Sequence, residues 1–301
     1  MDLAIDGGQT GLRVALSFRG QVREVRELAG LSYAEGSPAD AVLARLSPLE
    51  LPKGVDTVCL GLTTLLDDPE RLARLLLEHT RRVVITTDVV TSHAGAFPSG
   101  NGVVLAAGTG AIALGIAAAE SPPVQVDGWG FLFGDAGSGF WIGRRGLDVA
   151  YRGFDGRGPE GSLTARAREV FGDLATLPHR LYLAQDAVAR IARFAPHVFE
   201  LAATDAAAGE IVDAAATELA GTVAAAARHF TGEVPVAWTG RLLRDERLRA
   251  GFESALKSRL PQARICPAAG DSLTGAARLA AAPDLGLYAP LATVTHREAA
   301  Q

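Results

Sequence analysis

A strand, a tip of glycine and threonine, and a second strand occur twice in this chain, and that repeat restricts the fold more than any other feature. Leu3-Ala4-Ile5 leads into Asp6-Gly7-Gly8-Gln9-Thr10-Gly11 and out through Leu12 to Ser17. In the second half, Gly102 to Ala107 leads into Gly108-Thr109-Gly110 and out through Ala111 to Ile116. Each unit reads as a β-hairpin. Gln21 to Leu28 and Val124 to Val126 supply a third strand to each.

Helix and strand signals then alternate. A helix over about 38–46, a buried strand from Thr57, a helix from Asp67-Asp68-Pro69, a strand over Arg82–Thr87 and a helix from Asp88 complete βββαβαβα in the first half. In the second half, helices dominate from about Phe140 to Phe230. A strand at Val234–Trp238, a helix over about 242–257, a short strand near Arg264-Ile265 and a helix from Gly270-Asp271 follow, and the tail from Pro283 reads as loosely ordered. The expected fold is α/β, with mixed sheets in two domains and a cleft between them. One domain covers 1–100; the other covers 101–301 and carries a helical insertion, with a final helix at about 271–282 that can return to the first domain.

At 301 residues the chain is long enough for two cores, and a net charge of -5 offers no general attraction to nucleic acid or an anionic membrane. The alanine-rich run from 206 to 230 is interrupted by Glu210, Asp213, Glu218 and Arg228, so it reads as a helix of a globular protein and not a membrane span. Cys59 and Cys266 stand in no metal-binding spacing. An acid at position 2 is unlike the start of a signal peptide, which places the expected site of action in the cytoplasm.

Two facing turns that present N–H groups can hold phosphates without a Walker loop, a pattern this chain lacks. Gly7, Gly8, Gly108 and Gly110 permit close approach, while Thr10 and Thr109 add hydroxyls. Asp6 ends a strand, where it either caps its own turn or orients Mg²⁺ through water. Asp88 either caps a helix or accepts the proton of a substrate hydroxyl. The stretch from Gly128 to Gly143 packs six glycines and two tryptophans, Trp129 and Trp141, around Asp135, a pocket-like composition. Both tryptophans read as pocket wall or core. Asp135 either binds its own turn or grips a polyhydroxylated ligand, and His93 reads as structural.

These motifs resemble the N-acetylglucosamine kinase and BadF-type ATPase family, within the superfamily of sugar kinases, heat-shock ATPases and actin. The resemblance runs from Asp6 to about Ala280. Asp6-Gly7-Gly8-Gln9-Thr10 is similar to the first phosphate motif, Gly108-Thr109-Gly110 to the second, and Gly128-Trp129-Gly130 through Gly134-Asp135-Ala136-Gly137-Ser138 to the most distinctive signature. Thr239-Gly240-Arg241 resembles the adenosine segment and Gly275-Ala276-Ala277 the closing helix near the nucleotide. The sequence departs from the family at Gln9, Gly11, Thr87 and Ala136, and at Tyr33, which occupies a region where many members bind sugar through asparagine.

The resemblance implies two ribonuclease-H-like domains in an actin-like ATPase fold that close over ATP–Mg²⁺ and an amino sugar. It implies Asp88 as catalytic base, Asp6 as the metal-orienting carboxylate, Gly7, Gly8, Gln9, Thr10, Gly108, Thr109, Gly110, Gly240, Arg241 and Gly275 toward the nucleotide, and Asp135, Gly128, Thr109 and Tyr33 toward the sugar. The implied reaction transfers the γ-phosphoryl group to a hydroxyl, the 6-hydroxyl foremost, of N-acetylglucosamine, glucosamine or a related sugar, in a homodimer. The alternatives are an ATPase of the BadF type serving a partner enzyme, and a sugar-sensing protein without turnover.

Overall fold

The computed structural model describes residues 1–8, 11–30, 37–47, 54–63, 68–117 and 121–297. The strands are β1 (Asp2–Gly7), β2 (Leu12–Phe18), β3 (Gln21–Leu28), β4 (Thr57–Leu62), β5 (Arg82–Thr87), β6 (Gly102–Ala107), β7 (Ala111–Ile116), β8 (Val124–Asp127), β9 (Val234–Thr239), β10 (Ala263–Ile265) and β11 (Ala292–His296). The first three helices are α1 (Pro38–Leu46), α2 (Pro69–Leu76) and α3 (Asp88–Ala96). The helical insertion comprises α4 (Gly139–Phe154), α5 (Ser162–Phe171), α6 (Leu177–Tyr182), α7 (Ala187–Ala192), α8 (Ala195–Leu201) and α9 (Ala206–Ala226), and α10 (Glu246–Arg259) and α11 (Ser272–Ala281) follow. The α/β class and the twice-used βββαβαβα order hold.

The chain divides into two units: Met1–Val104 with Ile116–Pro123 and Cys266–Gln301, and Leu105–Gly115 with Val124–Ile265. In the first, the strand order is β11-β5-β4-β1-β2-β3. The hairpin strands β1, β2 and β3 pair antiparallel, and β1, β4 and β5 run parallel. Alternation along β1 and β2 sorts the side chains. Leu3, Ile5, Leu12 and Val14 enter a core completed by Val42 and Leu46 of α1 and by Leu72 and Leu76 of α2. Asp6 and Arg13, opposite one another in the register, therefore point to the other face, the side on which α11 packs against β1.

Helix α11 crosses α3 with no room for side chains at two points. A Cβ on Gly275 would stand 1.8 Å from the carbonyl oxygen of Thr91, and one on Gly95 would stand 2.0 Å from that of Asp271. Ile116–Pro123 and the chain from Cys266 onward group with the first unit, and the second unit begins at Leu105. The tail is also more ordered than its sequence suggested. Strand β11 pairs antiparallel with β5, and the Thr86 hydroxyl donates to the carbonyl of Leu291 at 2.7 Å. An open edge on β5 would expose a row of unpaired N–H and C=O groups, and β11 covers it.

The second unit has the strand order β10-β9-β6-β7-β8. Helix α9 buries a face that includes Ile211, Val212, Leu219 and Val223, and α10 packs against it through Leu248, Phe252 and Leu256. No helix among the described residues is long and apolar enough to cross a membrane.

Candidate functional site

Strand β5 ends at Thr87 (φ -88°, ψ 158°), the N-cap of α3, and Asp88 is the first helical residue. The N-terminal end of the dipole favours a negative charge there. Burial nevertheless pushes the half-buried Asp88 carboxyl up to about 6; the Thr63 hydroxyl pulls it down, the Asp6 charge raises it further, and N–H groups including that of Val89 oppose the rise. The Thr87 hydroxyl is buried and has no hydrogen-bond partner among the described residues.

Thr63 also ties down the first tip. Its N–H donates to the carbonyl of Gly7 at 2.9 Å, its hydroxyl shares one proton between that carbonyl, at 3.0 Å, and the Asp88 carboxylate, and the Gly8 N–H donates to the carbonyl of Gly11 at 2.9 Å. Gln9, Thr10 and Tyr33 lie outside the described residues. Asp6 is held by Arg13, whose Nη2 and Nε donate to Asp6 Oδ2 at 2.5 and 3.0 Å. Asp6, Asp88 and the Gly7–Gly8 tip thus lie together in the first unit.

In the second unit, the Gly108 N–H donates to the Gly110 carbonyl at 2.9 Å. The start of α4 is stitched to this tip: Gly139 N–H donates to the carbonyl of Gly108 at 2.8 Å and Phe140 N–H to that of Thr109 at 3.0 Å. Asp135 reaches the same tip and accepts the Ala111 N–H on Oδ1 at 3.1 Å. A Cβ at position 110 would lie 2.9 Å from that oxygen, which explains the glycine. Burial raises the Asp135 pKa, the Ala111 N–H opposes this, and the charge of Asp127 adds to it. Gly240 (φ +90°) lies against the end of β6, where a Cβ would meet the Ala107 carbonyl at 2.2 Å, and Arg241 follows it. Gly108, Thr109, Gly110, Asp135 and Gly240 are therefore brought together. Gly275 stands in the first unit, where the α3 crossing already accounts for its small size.

Between β8 and α4 the chain is pinned by a residue that sequence reasoning missed. Asp127 accepts the N–H groups of Gly128 and Asp135 on Oδ1, at 2.8 and 2.6 Å, and that of Ala136 on Oδ2 at 2.9 Å. Asp127 (φ 62°) and Asp135 (φ 58°) are both left-handed, a region that aspartate tolerates better than most residues. The signal that could have found it is an acid at a strand end directly before Gly128-Trp129-Gly130. Trp129, read as pocket wall or core, lies outside the core at 67% exposed, and Phe133 is 87% exposed. The turn closed by the Phe133 and Gly134 N–H groups on the Gly130 carbonyl projects these rings outward. Trp141 is half-buried beneath the Arg145 guanidinium, 4.9 Å from its ring centroid.

His93 has a structural role. It is fully buried, its Nε2 lies 3.0 Å from the Gly102 carbonyl and its Nδ1 3.0 Å from the Tyr288 hydroxyl. A carbonyl can only accept, so Nε2 carries the proton and Tyr288 donates to Nδ1. Among the described residues no group of three or more His, Cys, Asp or Glu is arranged to hold a metal ion.

Two units that each open on a three-strand run with a glycine tip at the first hairpin define an actin-like ATPase fold of the sugar-kinase type. The chain belongs to the BadF/BadG/BcrA/BcrD ATPase family, whose model matches residues 5–280. A structure from Chromobacterium violaceum, provisionally assigned as an N-acetylglucosamine kinase, is similar at 27% identity with a TM-score of 0.73, covering 92% of this chain and 97% of that one. A ROK family glucokinase from Streptomyces griseus, in complex with glucose and AMPPNP, shares the fold at 17% identity with a TM-score of 0.59, covering 93% of this chain and 98% of that one. An N-acetylmuramic acid/N-acetylglucosamine kinase from Clostridium acetobutylicum is 32% identical over 82 residues, 27% of this chain; the match spans 26% of that relative's length.

Proposed function

We propose that the protein is an ATP-dependent sugar kinase whose acceptor is a hydroxyl, foremost the 6-hydroxyl, of N-acetylglucosamine, glucosamine or a related amino sugar. The observation that carries this reading is Asp88: a carboxyl at a strand end, raised to about 6 by burial, is a base poised just below neutral pH. Asp88 takes the proton of the acceptor hydroxyl. Asp135, anchored against the second tip, grips sugar hydroxyls together with Thr109 and Gly128. The tips at Gly7–Gly8 and Gly108–Gly110 hold phosphates, and Gly240-Arg241 borders the adenosine. Similarity to the C. violaceum structure provisionally assigned as an N-acetylglucosamine kinase, and over 82 residues to the N-acetylmuramic acid/N-acetylglucosamine kinase of C. acetobutylicum, supports the sugar class.

Mg²⁺ would be oriented by Asp6 and would neutralise charge on the transferred phosphoryl group. A single carboxylate fits such an ion, because Mg²⁺ keeps several waters and takes substrate phosphates as its other ligands. Cys59 is fully buried, with its thiol pushed up to about 12, and so is unsuited to share a cluster with a partner, as the rival ATPase role would need.

The test is ADP release measured over a panel of amino sugars, with Asp88→Asn beside the wild type. One sugar should raise turnover, and Asp88→Asn should lower it by about 10²- to 10⁴-fold while sugar binding persists. If no sugar lifts ADP release above the background of the variant, the protein is not a sugar kinase.

A further inference from the structure

The guanidinium of Arg13 is the centre of a chain of held side chains that the kinase reading leaves unused. Nη2 and Nε donate to Asp6 Oδ2, Nη1 donates to Asp271 Oδ2 at 2.6 Å, and Nη2 also donates to the Ser272 hydroxyl at 3.0 Å. Asp271 is the N-cap of α11, and its other oxygen accepts the backbone N–H and the hydroxyl of Thr274, at 2.9 and 2.8 Å. Each member is therefore fixed by the next: the cap fixes Asp271, Asp271 fixes Arg13, and Arg13 fixes Asp6.

Two features argue against an ordinary stabilising ion pair. The Arg13–Asp271 contact is exposed, with side chains 33% and 49% accessible, and an exposed pair of that kind contributes little to stability by itself, whereas the Arg13–Asp6 contact it leads to is part-buried. Moreover, both bonds from Arg13 to Asp6 end on one oxygen, so the second carboxylate oxygen stays outside the pair. A lone arginine would neutralise Asp6. With Asp271 included, the three groups carry a net charge of about -1 and still attract a cation.

We propose that Arg13 is a positioning residue for Asp6, setting its free oxygen toward the magnesium–nucleotide, and that Asp271 holds Arg13 in place from the N-cap of α11. The inference rests on the kinase reading, in which Asp6 orients Mg²⁺. It makes α11, distant in sequence, part of the metal site through one guanidinium.

Electrostatics and positioning predict opposite signs, which makes the proposal testable by calorimetric titration of ADP with and without Mg²⁺. Charge alone predicts that Arg13→Gln, by removing a cation beside Asp6, strengthens the gain in ADP affinity that Mg²⁺ confers. Positioning predicts that this gain falls by about tenfold, the size of effect seen when outer partners of metal-binding groups are lost, while affinity for ADP without Mg²⁺ holds within about twofold. Asp271→Asn should act in the same direction. Arg13→Lys, which keeps the charge but not the fork, should also lose most of the gain and serves if Arg13→Gln melts early. An unchanged or larger gain in folded Arg13→Gln or Arg13→Lys overturns the proposal. If wild-type protein itself gains nothing from Mg²⁺, it is the role of Asp6 that falls, and the proposal falls with it.

Discussion

The carboxylate of Asp127 accepts the backbone N–H of Asp135 at 2.6 Å, and the same side chain takes the N–H groups of Gly128 and Ala136. One acid thus sets the path of the turn that presents another. Asp127→Asn keeps the tolerance for left-handed backbone but points an amide donor at backbone donors. We expect a loss of about 2 kcal/mol in unfolding free energy, read by urea denaturation. KM for the sugar should rise more than kcat falls. A variant with wild-type KM would show that the clamp does not serve Asp135.

Gly110→Ala probes the same carboxylate from the other side. The added methyl would stand 2.9 Å from Asp135 Oδ1 and 3.1 Å from its Cγ and Oδ2. A carboxylate can swing aside at small cost, so stability should change by no more than about 1 kcal/mol. The displaced Asp135 should weaken sugar binding by about tenfold, the effect of one charged hydrogen bond, in steady-state kinetics. Equal sugar affinity in the variant would remove Asp135 from the substrate site.

Asp88 and His93 titrate in opposite senses. The folded Asp88 binds its proton more tightly than the unfolded chain does, so its stabilising contribution is present below pH 3.8 and is lost as pH rises to about 6. His93, buried and driven down to about 4, does the reverse: its contribution is present above 6.5 and is lost as pH falls to about 4. Between these limits the two slopes offset. Asp88→Asn removes one of them, so relative to wild type the variant should gain stability with rising pH at about 1 kcal/mol per pH unit between pH 4 and 6. Denaturation midpoints across that range give the answer. In the wild type, kcat/KM should fall below pH 6, as the base becomes protonated.

Gly275→Ala should be among the most damaging single-methyl changes in the chain. The new Cβ would lie 1.8 Å from the Thr91 carbonyl and 2.6 Å from the Gly95 N–H nitrogen, so α11 must separate from α3. The expected cost is about 3 kcal/mol. Gly221 in α9 gives the contrast, because among the described residues nothing lies within 4 Å of a Cβ there and Ala should stabilise that helix by up to about 1 kcal/mol. Thermal melts of the two variants should move in opposite directions.

Much of this architecture was legible because it is local. The hairpins at 3–17 and 102–116 follow from apolar runs broken by glycine, and Asp88 was visible as an acid closing Arg82–Thr87. Asp127 escaped because a strand-end acid before glycine looks the same whether it binds one N–H or three. Sequence left open whether Trp129 lies in the core, and the 67% exposure of its ring beside the Gly130 turn excludes that.

The sequence by itself determined the order of elements, the repeat and the family signature, since periodicity and glycine placement act over a few residues. Only the tertiary structure decided that β11 closes the edge of β5, that Gly275 meets Thr91, and that Arg13 joins Asp6 to Asp271. Those contacts join residues far apart along the chain. They depend on which sheet face a side chain occupies and on which helix covers that face, and no local pattern of residues contains that information.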